Sequence, residues 1–233
     1  MTGITGKQIL VYTIYASLVI QLVTGILTFN AVLIPLEEKD KILTDVALIE
    51  LVVQIIEALW YIVIIYAIYS INNNTIAARR YIDWVITTPV MLISTILFFS
   101  YKTYKALGKT ITTREIFSQN KFAIGSIVVY NFFMLLFGFL GEVNILNKFV
   151  SIPIGFVFFA LSFYTLYVKF VGTELINQYL FVFLFVVWGL YGFAAMFPTI
   201  IKNVSYNVLD LIAKNFYGIF IWFYIRGVSQ GIY

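Results

Sequence analysis

Residues 79–100 read RRYIDWVITTPVMLISTILFFS. Arg79, Arg80 and Asp83 crowd one end, and from Trp84 onward no charge interrupts the run. A helix needs about 20 apolar residues to cross a bilayer, so this stretch is long enough to span one. Arg80 and Asp83 lie three residues apart, which puts them on one helical face. Charged groups at that depth are costly and mark function. The rest of the chain has the same character. Of its 233 residues 62% are apolar and only 11% charged, and mean hydropathy is +0.96. Soluble domains average about 45–50% apolar and about 25% charged. This chain cannot cover its own surface with polar groups. A water-soluble enzyme, a disordered chain and a nucleic-acid binder are all excluded, despite a pI near 9.1. Cysteine and histidine are both absent, which removes disulfides, thiolate chemistry and the commonest metal ligand. No metal site and no enzymatic residue set is expected. The chemistry must run on Asp, Glu, Lys, Arg and hydroxyls.

Working outward, seven stretches are long and apolar enough to cross a membrane: 7–32, 42–71, 79–100, 120–141, 146–170, 174–200 and 203–226. The reading is an all-α bundle of seven transmembrane helices, one domain over 1–233, integral and multi-pass. Pro35 and the charges Glu37 to Lys41 end the first span. Asn72, Asn73 and Asn74 end the second. A polar connection from Lys102 to Lys121 separates the third from the fourth. Gly141, Glu142 and Asn144 end the fourth, Thr173 is a candidate cap for the sixth, and Pro198 with Lys202 and Asn203 closes the sixth. With the N-terminus outside, the inner segments carry Lys39, Lys41, Lys102, Lys105, Lys109, Arg114, Lys121, Lys169 and Arg226. The outer ones carry Lys7, Arg79, Lys148 and Lys202. Nine basic residues against four favour that orientation, with a cytoplasmic C-terminus. A cleavable leader is not expected, because no small-x-small site follows the first apolar run.

The charges expected at depth are Glu50 and Glu57 in the second span, Arg80 and Asp83 in the third, and Asp210 and Lys214 in the seventh. Asp210 and Lys214 are four apart and share a face. One reading is a structural ion pair between helices. The other is a desolvated lysine carrying a carbonyl ligand as an imine, since burial makes its amine a good nucleophile.

The surrounding residues favour the second. Arg80-Tyr81-Ile82-Asp83-Trp84-Val85-Ile86-Thr87-Thr88-Pro89 strongly resembles the third-helix signature RYxDWxxTTP of the microbial (type 1) rhodopsins. Asp210-Leu211-Ile212-Ala213-Lys214 resembles their DxxxK retinal-attachment motif, and Trp188-Gly189-Leu190-Tyr191 their WxxY retinal wall. The resemblance implies that Lys214 binds all-trans retinal covalently as a protonated Schiff base. It implies counterions at Asp83 and Asp210, with Arg80 just outward of them. A buried cation of this kind needs an anion within about 4–6 Å or it deprotonates. Trp84 and Trp188 would sandwich the polyene, Tyr191 would donate its hydroxyl near Asp210, and Thr87 would hydrogen-bond Asp83. Thr88 would lie against the chain, and Met91 falls on the colour-tuning position, where an apolar residue implies green absorption. Met134, Gly138 and Gly141 fit the ring-end pattern. For the other aromatics among the 17 Tyr and 23 Phe, lipid contact or helix packing is the ordinary role.

The chain departs from a carboxylate-donor proton pump. The positions that matter on the third helix are Asp83, Thr87 and Ser94, and a serine cannot hold a proton at pH 7. No carboxylate lies between Glu174 and Asp210, and Gly192 stands where the family has a proline. Three polar stripes appear instead: Ser17 and Gln21; Glu50, Gln54 and Glu57; and Asn203, Asn207, Asp210 and Lys214. They are interhelical hydrogen-bond glue or the lining of a hydrated cation path. Their pattern is similar to that of viral-type rhodopsins, a branch in which light-gated cation conduction is known. Ser94 belongs to the same candidate path. Neither Glu50 nor Glu57 is in a retinal motif, so neither is expected to affect the chromophore. The expected function is a light-gated cation channel, with an outward light-driven proton pump as the alternative and a photosensor third. The expected partners are the bilayer, retinal and cations or protons, with no nucleic acid; a homo-oligomer stays open, and so does a carotenoid antenna beside Ile152 and Gly155.

Overall fold

A computed structural model describes residues 5–70 and 76–233. The Asn72–Asn74 break lies outside the described residues. Among the described residues, seven helices are long and apolar enough to cross a membrane: α1 Gly6–Leu33, α2 Ile42–Ile68, α3 Ile76–Ala106, α4 Thr113–Glu142, α5 Lys148–Val171, α6 Leu175–Ala194 and α7 Thr199–Ser229. They form a closed ring in chain order, with α1 packed on both α2 and α7. Rows of leucine, isoleucine and phenylalanine make every helix apolar all round, so sequence periodicity gives little hint of which face is buried. Packing decides it. The most apolar window of α3 is 67% buried against 22% in α4, so α3 is the central helix and α4 faces lipid. That is why the third span can carry Arg80, Asp83 and a serine without exposing them to hydrocarbon.

Several boundaries differ from the sequence reading. Most of the polar stretch between Lys102 and Lys121 is helical, because α3 runs to Ala106 and α4 starts at Thr113. Thr112 and Glu115 form a capping box there, each satisfying the other's backbone N–H. Thr173 does not cap α6; Glu174 occupies that position, without a side-chain bond. Asn177 reaches back instead, donating to the carbonyls of Phe99 and Val171 at 3.1 and 3.0 Å. The seventh helix begins at Thr199, directly after Pro198, because a proline is well tolerated where no N–H is needed. Lys202, placed by sequence in a connection, is therefore inside a helix and buried.

Ion pairs lock both ends of the bundle. At the end where the N-terminus lies, Lys202 Nζ bonds Glu142 at 2.5 and 2.7 Å, tying α7 to α4. Lys148 Nζ approaches the same carboxylate at 3.4 Å. At the opposite end Asp40, before α2, accepts from Tyr101 at 2.6 Å and Lys105 at 3.0 Å. Glu142→Ala leaves Lys202 as a buried charge with no carboxylate, a loss on the order of 2–3 kcal/mol. Thermal unfolding should then begin several degrees lower, whereas Glu142→Gln, which keeps one acceptor, should fall less.

Candidate functional site

Helix α7 loosens where its lysine sits. Across Leu211–Asn215 the turn widens, and the Phe216 N–H bonds the Leu211 carbonyl five residues back. Such a bulge changes which way side chains point and often marks function. The carbonyl of Lys214 is picked up by Gln54 Nε2 of α2 at 3.3 Å. The side chain of Lys214 then enters the middle of the bundle, where three carboxylates meet it. Nζ lies 2.9 Å from Asp83 Oδ2 and 3.9 Å from Asp210 Oδ1, and it also contacts Glu57 Oε2 directly. All four groups are buried.

Asp210 is held from three sides. Tyr61 and Arg80 donate to Oδ2, each at 2.9 Å, and Tyr191 donates to Oδ1 at 2.8 Å. Arg80 is fully buried, stacks over the Tyr61 ring at 5.5 Å, and also bonds Asn207. Asn207 passes the network on to α1 through Thr13 at 2.8 Å. A guanidinium suits this place because its planar fork bonds several acceptors at once.

Beyond Lys214 an elongated cavity runs between α3, α4, α5, α6 and α7. Its walls include Trp84, Thr88, Met91, Met134, Gly138, Trp188 and Tyr191. Among the described residues, Lys214 is the only charged one on the wall. A β-carbon at Gly138 would sit 2.9 Å from the Tyr81 hydroxyl, so glycine keeps the far end open. The cavity is largely apolar, with aromatic walls and one amine on them, which suits a polyene bearing a reactive carbonyl. Ile152 and Gly155 also face this cavity, while Gly141 lies under Ser151 and outside its walls. Gly192 makes room for the Phe156 ring, which a β-carbon would approach to 2.5 Å.

Thr87 donates to the backbone carbonyl of Asp83 at 3.1 Å, the usual reach of a threonine one helical turn on. Thr88 donates to the Trp84 carbonyl at 2.7 Å and accepts from Asn131 at 2.8 Å. Glu57 was expected on the path and away from the chromophore, yet it touches the lysine. Tyr61 and Asn131 were missed. Tyr61 continues the spacing of Glu50, Gln54 and Glu57 by another turn, and Asn131 is an isolated carboxamide in an apolar helix; either pattern would have flagged it.

The remaining stripe residues all face inward. Ser17, Gln21, Glu50, Gln54, Ser94, Asn203 and Asn207 are buried. Ser17 reaches the Asn207 carbonyl at 3.4 Å, and Ser94 the Tyr217 hydroxyl at 3.4 Å. Several polar atoms have no protein hydrogen-bond partner: both amide atoms of Gln21, both oxygens of Glu50, Gln54 Oε1, Glu57 Oε1 and Asn203 Oδ1.

Comparison with known proteins follows the geometry. The bacteriorhodopsin-like protein family matches residues 9–228. The structure of viral rhodopsin OLPVRII is 31% identical, with a TM-score of 0.81 over 93% of this chain and 98% of that one. A blue light-absorbing proteorhodopsin from Med12, 18% identical, shares the fold at a TM-score of 0.74 over 95% of this chain and 98% of its own. Halorhodopsin from Halobacterium salinarum, 12% identical, does so at 0.71 over 97% of each chain. No curated protein sequence matches the chain. Members of this family bind retinal covalently and serve light-driven ion transport. The chain thus belongs to the bacteriorhodopsin-like family, as a membrane-embedded microbial rhodopsin of the viral branch.

Proposed function

We propose that this protein is a light-gated cation channel whose all-trans retinal is attached to Lys214. The observation that carries the reading is the row of buried, unpartnered polar atoms on α1, α2 and α7. An unsatisfied buried group costs about 1–3 kcal/mol. Residues serving only as glue between helices would pair with each other. Gln21 instead keeps a donor and an acceptor free, and Glu50, Gln54 and Asn203 keep acceptors free, as groups do when they bind water and passing ions. The carboxylate of Glu50, away from the lysine, selects for cations. Toward the end where the N-terminus lies, Arg80 bridges Asp210 and Asn207 across the same stripe and forms the natural closure in the dark. The basic-residue balance favours placing that end outside. Asp83 and Asp210 serve as counterions, and the tryptophans Trp84 and Trp188 supply flat walls for the polyene. When bound, retinal supplies light absorption and a change of shape at the lysine; conduction and its closure belong to the protein's own side chains.

The deciding measurement is photocurrent under voltage clamp in cells supplied with retinal. A channel current reverses sign with voltage and its reversal potential follows the cation gradient. Glu50 is the clean probe of the path, because it lies about 10 Å along the helix from Glu57 and the lysine. Glu50→Gln should change conductance or cation selectivity several-fold and leave the absorption maximum in place. A current that stays outward at all voltages, in the wild type and in Glu50→Gln, rejects the channel and supports a proton pump.

A further inference from the structure

We propose that Glu57 and Asp83 form a proton-sharing carboxyl pair that acts jointly as the counterion of Lys214. The inference rests on retinal attachment at Lys214 and concerns which groups of the chain balance its charge.

The first argument is a count of charges. The buried cluster holds two cations, Arg80 and Lys214, and three carboxylates, Glu57, Asp83 and Asp210. Buried ions without a matching charge are expensive, so the cluster favours one added proton. Its location follows from the partners. Asp210 already accepts from Arg80, Tyr61 and Tyr191, which all stabilise the ionised form. Glu57 and Asp83 each have one oxygen on Nζ and one oxygen without a partner. Their carboxylates meet at the same Nζ, which brings them side by side.

The second argument is a count of donors. A free lysine ammonium has three N–H donors and can serve Glu57 and Asp83 together. Once the nitrogen is bound to retinal it keeps one N–H. One of the two carboxylates then loses its donor while remaining buried. A proton held between them restores that hydrogen bond and leaves a single negative charge facing the nitrogen. The groups facing Glu57 are thus Asp83 and Arg80 from α3, Asp210 and Lys214 from α7, Tyr61 from its own helix and Tyr191 from α6. Arg80, Tyr61 and Tyr191 are engaged by Asp210, which leaves Asp83 to share the proton.

The pair makes a prediction that neither carboxylate makes alone. In Glu57→Gln or Asp83→Asn the remaining carboxylate ionises and takes over the whole negative charge. Each single variant should keep a visible band close to the wild-type maximum. In light-minus-dark infrared spectra, the carboxylic-acid C=O stretch that shifts in heavy water should be lost in both single variants. The double variant should lose the visible band at neutral pH, because the cation has no free anion left, and should regain it on acidification. Loss of the visible band in Asp83→Asn with a normal spectrum in Glu57→Gln would overturn the pair and leave Asp83 alone as counterion. Persistence of the same infrared band in Glu57→Gln would also overturn it. If the double variant fails to fold, the infrared spectra of the two single variants still decide. A wild-type protein that forms no pigment with retinal would instead refute the attachment itself, a result separable from all of these.

Discussion

Lys214→Ala should abolish the visible absorption band of the retinal-reconstituted protein. Lys214 is the only charged side chain on the cavity wall, so among the described residues no second amine can take its place. Alanine leaves the cavity and its aromatic walls intact, which makes the variant a test of chemistry rather than of folding. It also leaves Glu57, Asp83 and Asp210 with only Arg80 as a buried cation, and one or two of them must take up protons to stay buried. The variant should therefore fold, bind retinal weakly without a covalent link, and show only the near-ultraviolet absorption of the free aldehyde. Absorption spectra before and after hydroxylamine check this. A visible pigment that survives in Lys214→Ala, still bleached by hydroxylamine, would move the attachment elsewhere.

Replacing Arg80 with glutamine should produce the largest loss of stability of any single change at the site. Its guanidinium is buried and bonds Asp210 at 2.9 Å as well as Asn207. Breaking one side of a buried, hydrogen-bonded ion pair costs roughly 3–5 kcal/mol, since the other charge stays behind. Glutamine is shorter and neutral, so Asp210 keeps only its two tyrosines. The measurement is the temperature and rate at which the visible band is lost on heating. If Arg80 also closes the path, its variant should pass a larger resting current in the dark. A dark current equal to the wild type, with stability lowered as expected, would separate the structural role from the gate and remove the latter.

Much of this molecule was legible in its residues. Hydropathy alone dictates seven spans, because a bilayer admits only helices whose backbone is internally satisfied. The motifs around Asp83, Trp188 and Lys214 pointed to the pocket through their resemblance to the signatures of the microbial rhodopsins. The stripes on α1, α2 and α7 were visible too, since spacings of four and seven keep residues on one face of one helix. Spacing cannot say which faces meet. Nearly every helix is apolar on all sides, so the rotation of α2 about its axis is set only by how it packs between α1 and α3. That rotation brings Glu57, outside every recognised motif, onto the lysine, and leaves Glu50 buried away from it. It also carries Tyr61 to Asp210. Lys202 looked like a loop residue by charge, but the start of α7 at Thr199 draws it inside to Glu142. The sequence by itself determined the membrane bundle and, through its motifs, the candidate chromophore residues; the gathering of Glu57, Asp83 and Asp210 around one amine arises only when several helices converge on it.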